Sequence, residues 1–335
     1  MKMKNLVTSF KSQVRIGLFL SVFSVGVGQQ IHAQTPALPA SLKGEDLSRF
    51  DFFYAGESKL ENMYIVRKGK IVWSYTHPGK GEISDAVMLS NGNVLFAHQF
   101  AITEVNQKKE VVWNYDAPAN TEIHTAQPIG KNLVIFVQNS NPAKIYVINK
   151  KTNKMVKELT IEAGNPSSTH GQFRHARLTK AGTYLVSHMD KGKVCEYDSN
   201  GKLLLTIDAP GLWGAEEIAN GNILIAARNK VSEVNRKSEV VWEYPLMSNP
   251  DFAINSPQIA IRLKNGNTIV NNWFNQWSNE DVSKKPLQAI ELTPDKKVVW
   301  AMRSWVDPAN LGPSTIITPL NEPRTTEKAF FGDIH

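Results

Sequence analysis

Histidine and arginine side chains interrupt apolar stretches of this sequence at several points. His124 in TEIHTAQP and His175 in GQFRHARL are the first candidates for chemistry, since a histidine titrates near neutral pH and can act as acid, base or nucleophile. Arg174, Arg177 and Arg228 could neutralise a substrate carboxylate or sulfate through forked hydrogen bonds. We predict a site made from these groups, with His124 and His175 as catalytic candidates. Hydrogen bonding between neighbouring structural elements is the alternative role for each.

Alignment of the internal repeats on their Asn-Gly turns places the polar candidates in two columns. The first column contains Asp85, His124 and His175. The second column consists of His98, Gln138, His188, Arg228 and Asn272. Polar residues that recur where a strand is otherwise apolar predict a shared lining. His98, His188 and Arg228 are therefore predicted ligand contacts, together with Arg174.

Two further segments have the composition of a binding surface. At least one of Glu216 and Glu217 in LWGAEEIANGN is predicted to face the channel of the fold, with Glu216 as the ligand candidate and a structural salt bridge as the alternative. Trp273 and Trp277 in NNWFNQWSNED lie among amides, a combination that suits stacking on sugar rings. The alternative is a loop that folds its own aromatic rings over the protein. His170, in NPSSTHGQ, is expected to be a solvent-exposed loop residue.

Metal and redox chemistry have little support in the residue spacing. No short-range ligand motif such as HExxH occurs, and although ligands from different repeats remain conceivable, we predict no metal site. Cys195 is the one cysteine, so an internal disulfide is excluded and a buried strand position is expected.

The candidates belong to short strands that recur along the chain. An apolar strand follows an Asn-Gly turn or its equivalent at 91–100, 130–139, 181–190, 220–229 and 265–274. A later strand of the repeat occurs at 69–75, 108–115, 153–159, 201–207, 237–244 and 295–302, at intervals of 40, 44, 48, 37 and 58 residues. A period near 45 with alternating strands is typical of β-propeller blades.

We therefore predict an all-β propeller of about six four-stranded blades, occupying residues 51–335 as one domain. The first repeat lacks its inner half, which 314–320 or 328–334 is expected to supply by pairing the two ends of the chain and so removing an exposed sheet edge. Seven blades remain an alternative. A tryptophan recurs at one place in four repeats, and packing between blades is the expected role of Trp73, Trp113, Trp242 and Trp300.

The N-terminus has the pattern of a secretory signal peptide. Four basic residues precede an apolar run of 13 residues at 16–28, which is shorter than the roughly 20 residues of a membrane-spanning helix. We predict a signal peptide at 1–34, a lead at 35–50, no transmembrane segment in the mature chain, and a periplasmic or secreted location. Without the leader, 34 basic residues face 31 acidic ones, so the charge gives no support for nucleic-acid binding.

The pattern NGNVLFA, then Glu-Val-Asn, then KKEVVWNY resembles the repeats of the PQQ-like superfamily of quinoproteins and arylsulfotransferases over about residues 50–320. The resemblance implies the propeller fold, but that superfamily contains dehydrogenases, sulfotransferases, carbohydrate-active enzymes and scaffolds. Its quinoproteins present an adjacent-cysteine disulfide to the cofactor, which one cysteine cannot form, so PQQ is not expected and no cofactor is predicted.

The sequence is compatible with three functions. The first is recognition of a carbohydrate or other polar small molecule at the axial mouth of an exported propeller. The second is a carbohydrate-active hydrolase or lyase in which an axial histidine acts as acid or base. The third is a non-catalytic scaffold with an envelope protein partner. A polar axial pocket would favour the first two functions, whereas an apolar patch at the rim would favour the third.

Overall fold

Each repeat forms an antiparallel sheet, because its apolar segments are short and are separated by tight polar turns. The computed structural model describes residues 40–56, 62–274, 282–306 and 310–322. Helix α1 (Ala40–Lys43) precedes the strands, and short 3-10 turns occur at Thr169–Gly171, Pro250–Phe252 and Val282–Lys284. In chain order the strands are β1 (Phe52–Gly56), β2 (Asn62–Arg67), β3 (Lys70–Thr76), β4 (Asp85–Met88), β5 (Val94–Ala97), β6 (Ala101–Val105), β7 (Val111–Asp116), β8 (Glu122–Ile123), β9 (Gln127–Ile129), β10 (Leu133–Asn139), β11 (Ala143–Asn149), β12 (Lys154–Ile161), β13 (Phe173–Leu178), β14 (Tyr184–His188), β15 (Lys193–Tyr197), β16 (Leu203–Asp208), β17 (Leu212–Glu217), β18 (Ile223–Ala227), β19 (Lys230–Val234), β20 (Val240–Pro245), β21 (Ala260–Arg262), β22 (Thr268–Asn271), β23 (Ala289–Leu292), β24 (Val298–Met302) and β25 (Ser314–Pro319).

Six sheets form the blades of a β-propeller, which confirms the predicted fold class and the number of blades. From the innermost strand outward, the blades are β25-β1-β2-β3, β4-β5-β6-β7, β8/β9-β10-β11-β12, β13-β14-β15-β16, β17-β18-β19-β20 and β21-β22-β23-β24, numbered 1 to 6 in that order. In blade 3 the innermost strand is divided into β8 and β9, which pair with successive parts of β10.

The two ends of the chain complete blade 1 together. Strand β25 pairs antiparallel with β1, with Tyr54 opposite Ile317 and Phe52 opposite Pro319. This pairing confirms that 314–320 supplies the missing inner strand. The other segment considered for that role, 328–334, lies outside the described residues, as does the predicted signal peptide.

The core lies mainly between adjacent blades. Inner strands such as β5 and β14 are buried along their whole length, whereas the outermost strand β7 has no buried residue. One apolar cluster, for example, joins Val134 and Phe136 of blade 3 to Leu95 and Ile102 of blade 2. A blade is therefore stabilised by its neighbours on both sides, and closure of the ring gives blade 1 its second neighbour.

The recurring tryptophans contact the next element along the ring. The indole nitrogens of Trp73 and Trp113 donate to the Gln107 carbonyl and to Asn153 Oδ1, both in the following blade, at 3.2 and 3.3 Å. Trp242 donates to the Pro294 carbonyl of blade 6 at 2.9 Å. The predicted packing role is confirmed. Cys195 is buried on β15, again as predicted.

The lead before β1 packs on blade 6. Helix α1 is followed by Gly44, whose carbonyl accepts a 2.8 Å hydrogen bond from the Arg303 amide. Trp300 of β24 donates its indole N–H to the Asp46 carbonyl at 3.0 Å. Among the described residues, no helix has the length and apolar character needed to cross a membrane.

Candidate functional site

Irregular pairing occurs at the start of the innermost strand in three consecutive blades. In blade 3, three residues from His124 to Ala126 lie opposite only two residues of β10. In blade 4 the pairing shifts between Phe173 and Ala176, and in blade 5 between Leu212 and Gly214. A β-bulge re-aims the extra side chain and is common beside functional sites. The residues at these irregularities include His124, Arg174, His175 and Trp213.

Four acidic and basic side chains meet at this end of blades 2 to 4, and we call them the acid–base cluster: Glu82, Glu122, His124 and His170. His124 is enclosed by carboxylates, with its Nδ1 atom 3.1 Å from Glu82 Oε1 and its Nε2 atom 2.8 Å from Glu122 Oε2. His170 Nδ1 is also 2.8 Å from Glu122 Oε2, while His170 Nε2 is 3.9 Å from Glu82 Oε1. His124 therefore bridges the two glutamates, while His170 contacts Glu122 directly and lies near Glu82.

Exposure differs sharply between the two histidines. The His124 side chain is 1% exposed, while that of His170, on the turn Thr169–Gly171, is 52% exposed. The rings are nearly perpendicular, with centroids 5.0 Å apart. Solvent and small molecules can thus reach the acid–base cluster on the His170 side.

The electrostatics of the acid–base cluster favour ionised carboxylates. Burial alone would raise the pKa of Glu82, but its hydrogen bond to His124 and the nearby Arg174 charge lower that pKa to about 2. For Glu122, burial is likewise outweighed by hydrogen bonds to His124 and His170, and its pKa lies well below the usual range. The hydrogen bond to Glu122 raises the pKa of His170.

An arginine and two indole rings adjoin the acid–base cluster. The Arg174 Nη2 atom is 3.6 Å from Glu82 Oε1 and 3.2 Å from His170 Nε2. The Arg174 guanidinium also lies 5.7 Å from the ring centre of Trp213, and the Trp213 ring is 5.4 Å from that of Trp273 in an edge arrangement. Charged, hydrogen-bonding and aromatic surfaces are therefore adjacent here.

A fully buried ion pair lies on the same innermost strands. Arg177 binds Asp85 through both carboxylate oxygens, at 2.8 and 3.0 Å, and Asp85 also accepts a hydrogen bond from Thr125 at 3.0 Å. Arg177 Nη2 lies 2.8 Å from His175 Nδ1. These contacts join blades 2, 3 and 4. The residues of the first predicted column, Asp85, His124 and His175, therefore lie close together on neighbouring blades.

The cavity beside His175 is narrow. Its lining includes His175, Glu216 and Ile259, and its volume of about 10 Å³ is the space of roughly one water molecule. A sugar cannot enter it. A ligand of that size therefore does not fit beside His175 or Glu216.

A larger groove of about 900 Å³ lies between blades 2 and 3 at the opposite ends of their innermost strands. Turn residues such as Lys131 and Lys151 form part of its wall, together with Trp113 of β7. Its described lining contains no histidine, so it offers no acid–base grouping of the kind found at the acid–base cluster.

The predicted site residues separate into several groups. Arg174 and His124 belong to the site, whereas His175 is 3% exposed and lies deeper, beside Arg177. His98 and His188 are buried at the ends of second strands, where their rings bond Thr103 and Tyr197. Most residues of the second predicted column are therefore buried inside the blades.

Arg228 is exposed, in the loop after β18, and Glu216 is half-buried on β17. Trp273 is nearly buried against Trp213, while Trp277 lies outside the described residues. The catalytic roles assigned to His124 and His175 stay predictions.

Four residues of the site were missed by the sequence interpretation: Glu82, Glu122, His170 and Trp213. Glu122 and His124 are two apart, a spacing that places both side chains on one side of a strand, so this pair had a readable signal. Glu82 and His170 come from connecting segments of other blades, where no periodic pattern selects them.

Comparison with known proteins identifies the class of fold. No family model matches the chain, and no curated protein matches it. A protein of unknown function from Bacteroides caccae is 23% identical, with a TM-score of 0.71 over 82% of this chain and 100% of that one. The similarity shows that both chains share the propeller fold.

Two lyases have more distant similarity. A streptogramin B lyase is 14% identical, with a TM-score of 0.53 over 77% of this chain and 85% of that one. A catalytically inactive histidine-to-alanine form of virginiamycin B lyase from Staphylococcus aureus, bound to quinupristin, is 14% identical, with a TM-score of 0.52 over 77% and 86%. At these identities the similarity concerns the fold alone.

Proposed function

We propose that this propeller binds a carbohydrate or a similar polar small molecule at the acid–base cluster. The observation that carries the proposal is the juxtaposition of Glu82, Glu122, His170 and Arg174 with the Trp213 ring at one end of the blades. Carboxylates accept hydrogen bonds from hydroxyl groups, and a guanidinium donates hydrogen bonds to hydroxyl oxygens or to an acidic substituent. An indole face packs on the apolar side of a sugar ring. Export to the periplasm or exterior remains part of the proposal.

Thermal shift and calorimetry with neutral and acidic oligosaccharides test this proposal. A ligand that binds only the folded protein raises the melting temperature. We expect an oligosaccharide to do so, and Trp213→Ala and Arg174→Gln to weaken its binding at least about tenfold, or about 1.4 kcal/mol.

Arg262→Gln is the matched control for Arg174→Gln. Arg262 also lies over a tryptophan, 5.0 Å from the Trp242 ring, and also pairs with a glutamate, Glu233 at 2.8 Å, but it is at the opposite end of an innermost strand. Binding should survive this control. Equal losses in Arg174→Gln and Arg262→Gln, or no shift with any oligosaccharide, would contradict the proposal.

Turnover at the same cluster is a second candidate function. His170 is half-exposed and its Nδ1 atom is held by Glu122, so its ring is oriented by a carboxylate while remaining accessible to a ligand. This arrangement suits an acid or base of a hydrolase or lyase. Mass spectrometry of each stabilising oligosaccharide tests it: product formed by the wild type and not by His170→Ala supports turnover, and binding without product excludes it for that ligand.

A scaffold role has a separate observation in its favour. Paired apolar side chains are exposed on several outermost strands: Val111 and Val112 of β7, Leu203 and Leu204 of β16, and Val240 and Val241 of β20. An outer edge of this kind can accept a strand from a partner, such as an envelope protein. If the whole ligand panel fails, this role becomes the first candidate.

A further inference from the structure

We propose that Glu82, His124 and His170 form a binding site for a divalent transition-metal cation such as Zn²⁺. Their potential ligand atoms, one from each residue, all lie within 4.8 Å of one another. Two imidazole nitrogens and one carboxylate oxygen form a ligand set that zinc accepts, with the fourth position left to water or substrate.

The position of Glu122 is the strongest argument for the site. Its Oε2 atom is 2.8 Å from His124 Nε2 and 2.8 Å from His170 Nδ1. A neutral histidine that donates one ring N–H to this carboxylate keeps the lone pair of its other nitrogen. Metal-binding histidines typically donate their second nitrogen to a carboxylate in this way. With Glu122 as the acceptor for His124 Nε2 and His170 Nδ1, the remaining ligand atoms are His124 Nδ1 and His170 Nε2, and a bound cation would replace the proton that His124 Nδ1 shares with Glu82.

Both of those nitrogens lie on the Glu82 side. His124 Nδ1 is 3.1 Å from Glu82 Oε1, and His170 Nε2 is 3.9 Å from the same oxygen. Ligand atoms that are each about 2.1 Å from a zinc ion are separated by about 3 to 4 Å. Small side-chain adjustments therefore suffice to bring the three atoms around one ion.

The charge of the group also favours a cation. With both histidines neutral, Glu82 and Glu122 contribute two negative charges and Arg174 one positive charge, so the partly buried group has a net charge of minus one. Ser84 Oγ is 2.9 Å from His124 Nδ1, and Arg174 Nη2 is 3.2 Å from His170 Nε2. Arg174 donates to the lone pair of His170 Nε2, whereas the Ser84 hydroxyl donates to Glu82 Oε1 at 3.0 Å and accepts from His124 Nδ1. A bound ion would displace both of these contacts with the histidines.

Access and geometry agree with an open coordination position. His124 is buried, but His170 is half-exposed and comes from the turn between blades 3 and 4. The ligands come from the innermost strand region of blade 3 and from the segments that enter blades 2 and 4, so the folded ring is needed to assemble them. The inference concerns the same cluster as the proposed ligand site, yet it is tested without any saccharide.

Isothermal titration of the full, EDTA-treated, untagged protein with Zn²⁺ tests the inference. We expect one ion per chain, with binding lost in His170→Ala and in Glu82→Gln. Glu122→Gln should weaken binding by about 10–100-fold, because the Glu122 carboxylate orients both histidines without being a ligand itself. His77→Gln, which removes a histidine of blade 1 outside the acid–base cluster, should bind as the wild type does.

A second readout guards against loss of folding. The exposed position of His170 makes His170→Ala the least disruptive variant, and circular dichroism verifies its fold. With Co²⁺ in place of Zn²⁺, the wild type should show visible ligand-field absorption that His170→Ala lacks. Absence of Zn²⁺ binding, or stoichiometric binding that persists in both His170→Ala and Glu82→Gln, would overturn the inference. Saccharide binding measured with and without EDTA shows separately whether the proposed function holds.

Discussion

Individual side chains at the mouth of this propeller are held by opposite charges from other blades. His124, for example, has a carboxylate against each ring nitrogen, one from blade 3 itself and one from the segment that enters blade 2. Sequence patterns could identify His124 and Arg174, since both are polar residues in apolar surroundings. They could not identify Glu82 or His170, because connecting segments have no periodicity and the ring alone makes them neighbours.

The buried Asp85–Arg177 pair gives a prediction about stability. Asp85 is fully buried and Arg177 supplies two of its hydrogen bonds, so Arg177→Met removes the arginine counter-ion from a carboxylate in the interior. We expect a loss of about 3–5 kcal/mol in the free energy of unfolding, measured by urea denaturation. Arg67→Met is the control, because Arg67 and its partner Asp51 are 50% and 35% exposed and the cost should stay under about 1 kcal/mol. Similar losses in the two variants would contradict this prediction.

His188 gives a prediction about pH. Burial, with a smaller contribution from the Lys191 charge, lowers its pKa to about 3 in the folded protein, against about 6.5 in an unfolded chain. The unfolded state therefore binds a proton first as the pH falls. The contribution of His188 to stability is fully present above about pH 6.5 and declines toward the folded pKa, by up to about 1.4 kcal/mol per pH unit.

His188→Gln isolates that effect. Glutamine does not titrate and can still bond Tyr197, which lies 2.8 Å from His188 Nε2. Between about pH 7.5 and 5, the free energy of unfolding of this variant should fall less steeply than that of the wild type. Parallel curves for the two proteins would show that His188 takes up a proton in the folded state as readily as in the unfolded state, which would contradict the prediction.

Among the structural elements, the three irregular innermost strands have most influence on function. Regular pairing in blade 2 begins at Asp85 opposite Ala97, but blades 3, 4 and 5 each insert an extra residue near this level. Alternation of apolar and polar residues located the second and outermost strands of the blades, but it did not locate these innermost strands. A bulge adds one residue without changing composition, which explains why the arrangement of Arg174 and Trp213 did not follow from the sequence.

The lead segment permits a test at the level of elements. Gly44 has a φ angle of +93°, and a Cβ atom there would lie 2.8 Å from the Arg303 backbone nitrogen of blade 6. Gly221 has a similar φ of +87° but open space around it. Backbone strain should lower the free energy of unfolding of both alanine variants. Gly44→Ala should lose about 1 kcal/mol more than Gly221→Ala, because its Cβ atom also clashes with blade 6. Equal midpoints in urea unfolding would mean that the lead does not stabilise blade 6.

At the level of the whole molecule, the sequence predicted the ring well. The repeats near 45 residues, the Asn-Gly turns and the incomplete first repeat together indicated six blades and their closure. Local and global signals agreed, which is typical of a sequence that specifies one fold. The site is a product of the assembled ring, and for that reason it was only partly predictable.

Closure of blade 1 gives the last prediction. A chain ending after residue 312 lacks β25, so β1 loses its inner partner and Phe52 and Tyr54 lose apolar contacts with Ile316 and Ile317. We expect it to aggregate or to lose cooperative thermal unfolding, as measured by light scattering and circular dichroism. A chain ending after Glu322 retains β25 and should unfold cooperatively. Cooperative, monomeric behaviour of the shorter chain would contradict the role of β25 in closure.

The same closure also determines when the ring can form during synthesis. Thr315 Oγ1 donates to the Ala55 carbonyl across a separation of 260 residues. Strands β1 to β3 leave the ribosome first, yet they must wait for almost the entire chain before their inner partner exists. Contacts this distant in sequence slow folding. The first blade to be synthesised is consequently the last to be completed, and the nascent chain has an unpaired strand edge for most of its translation.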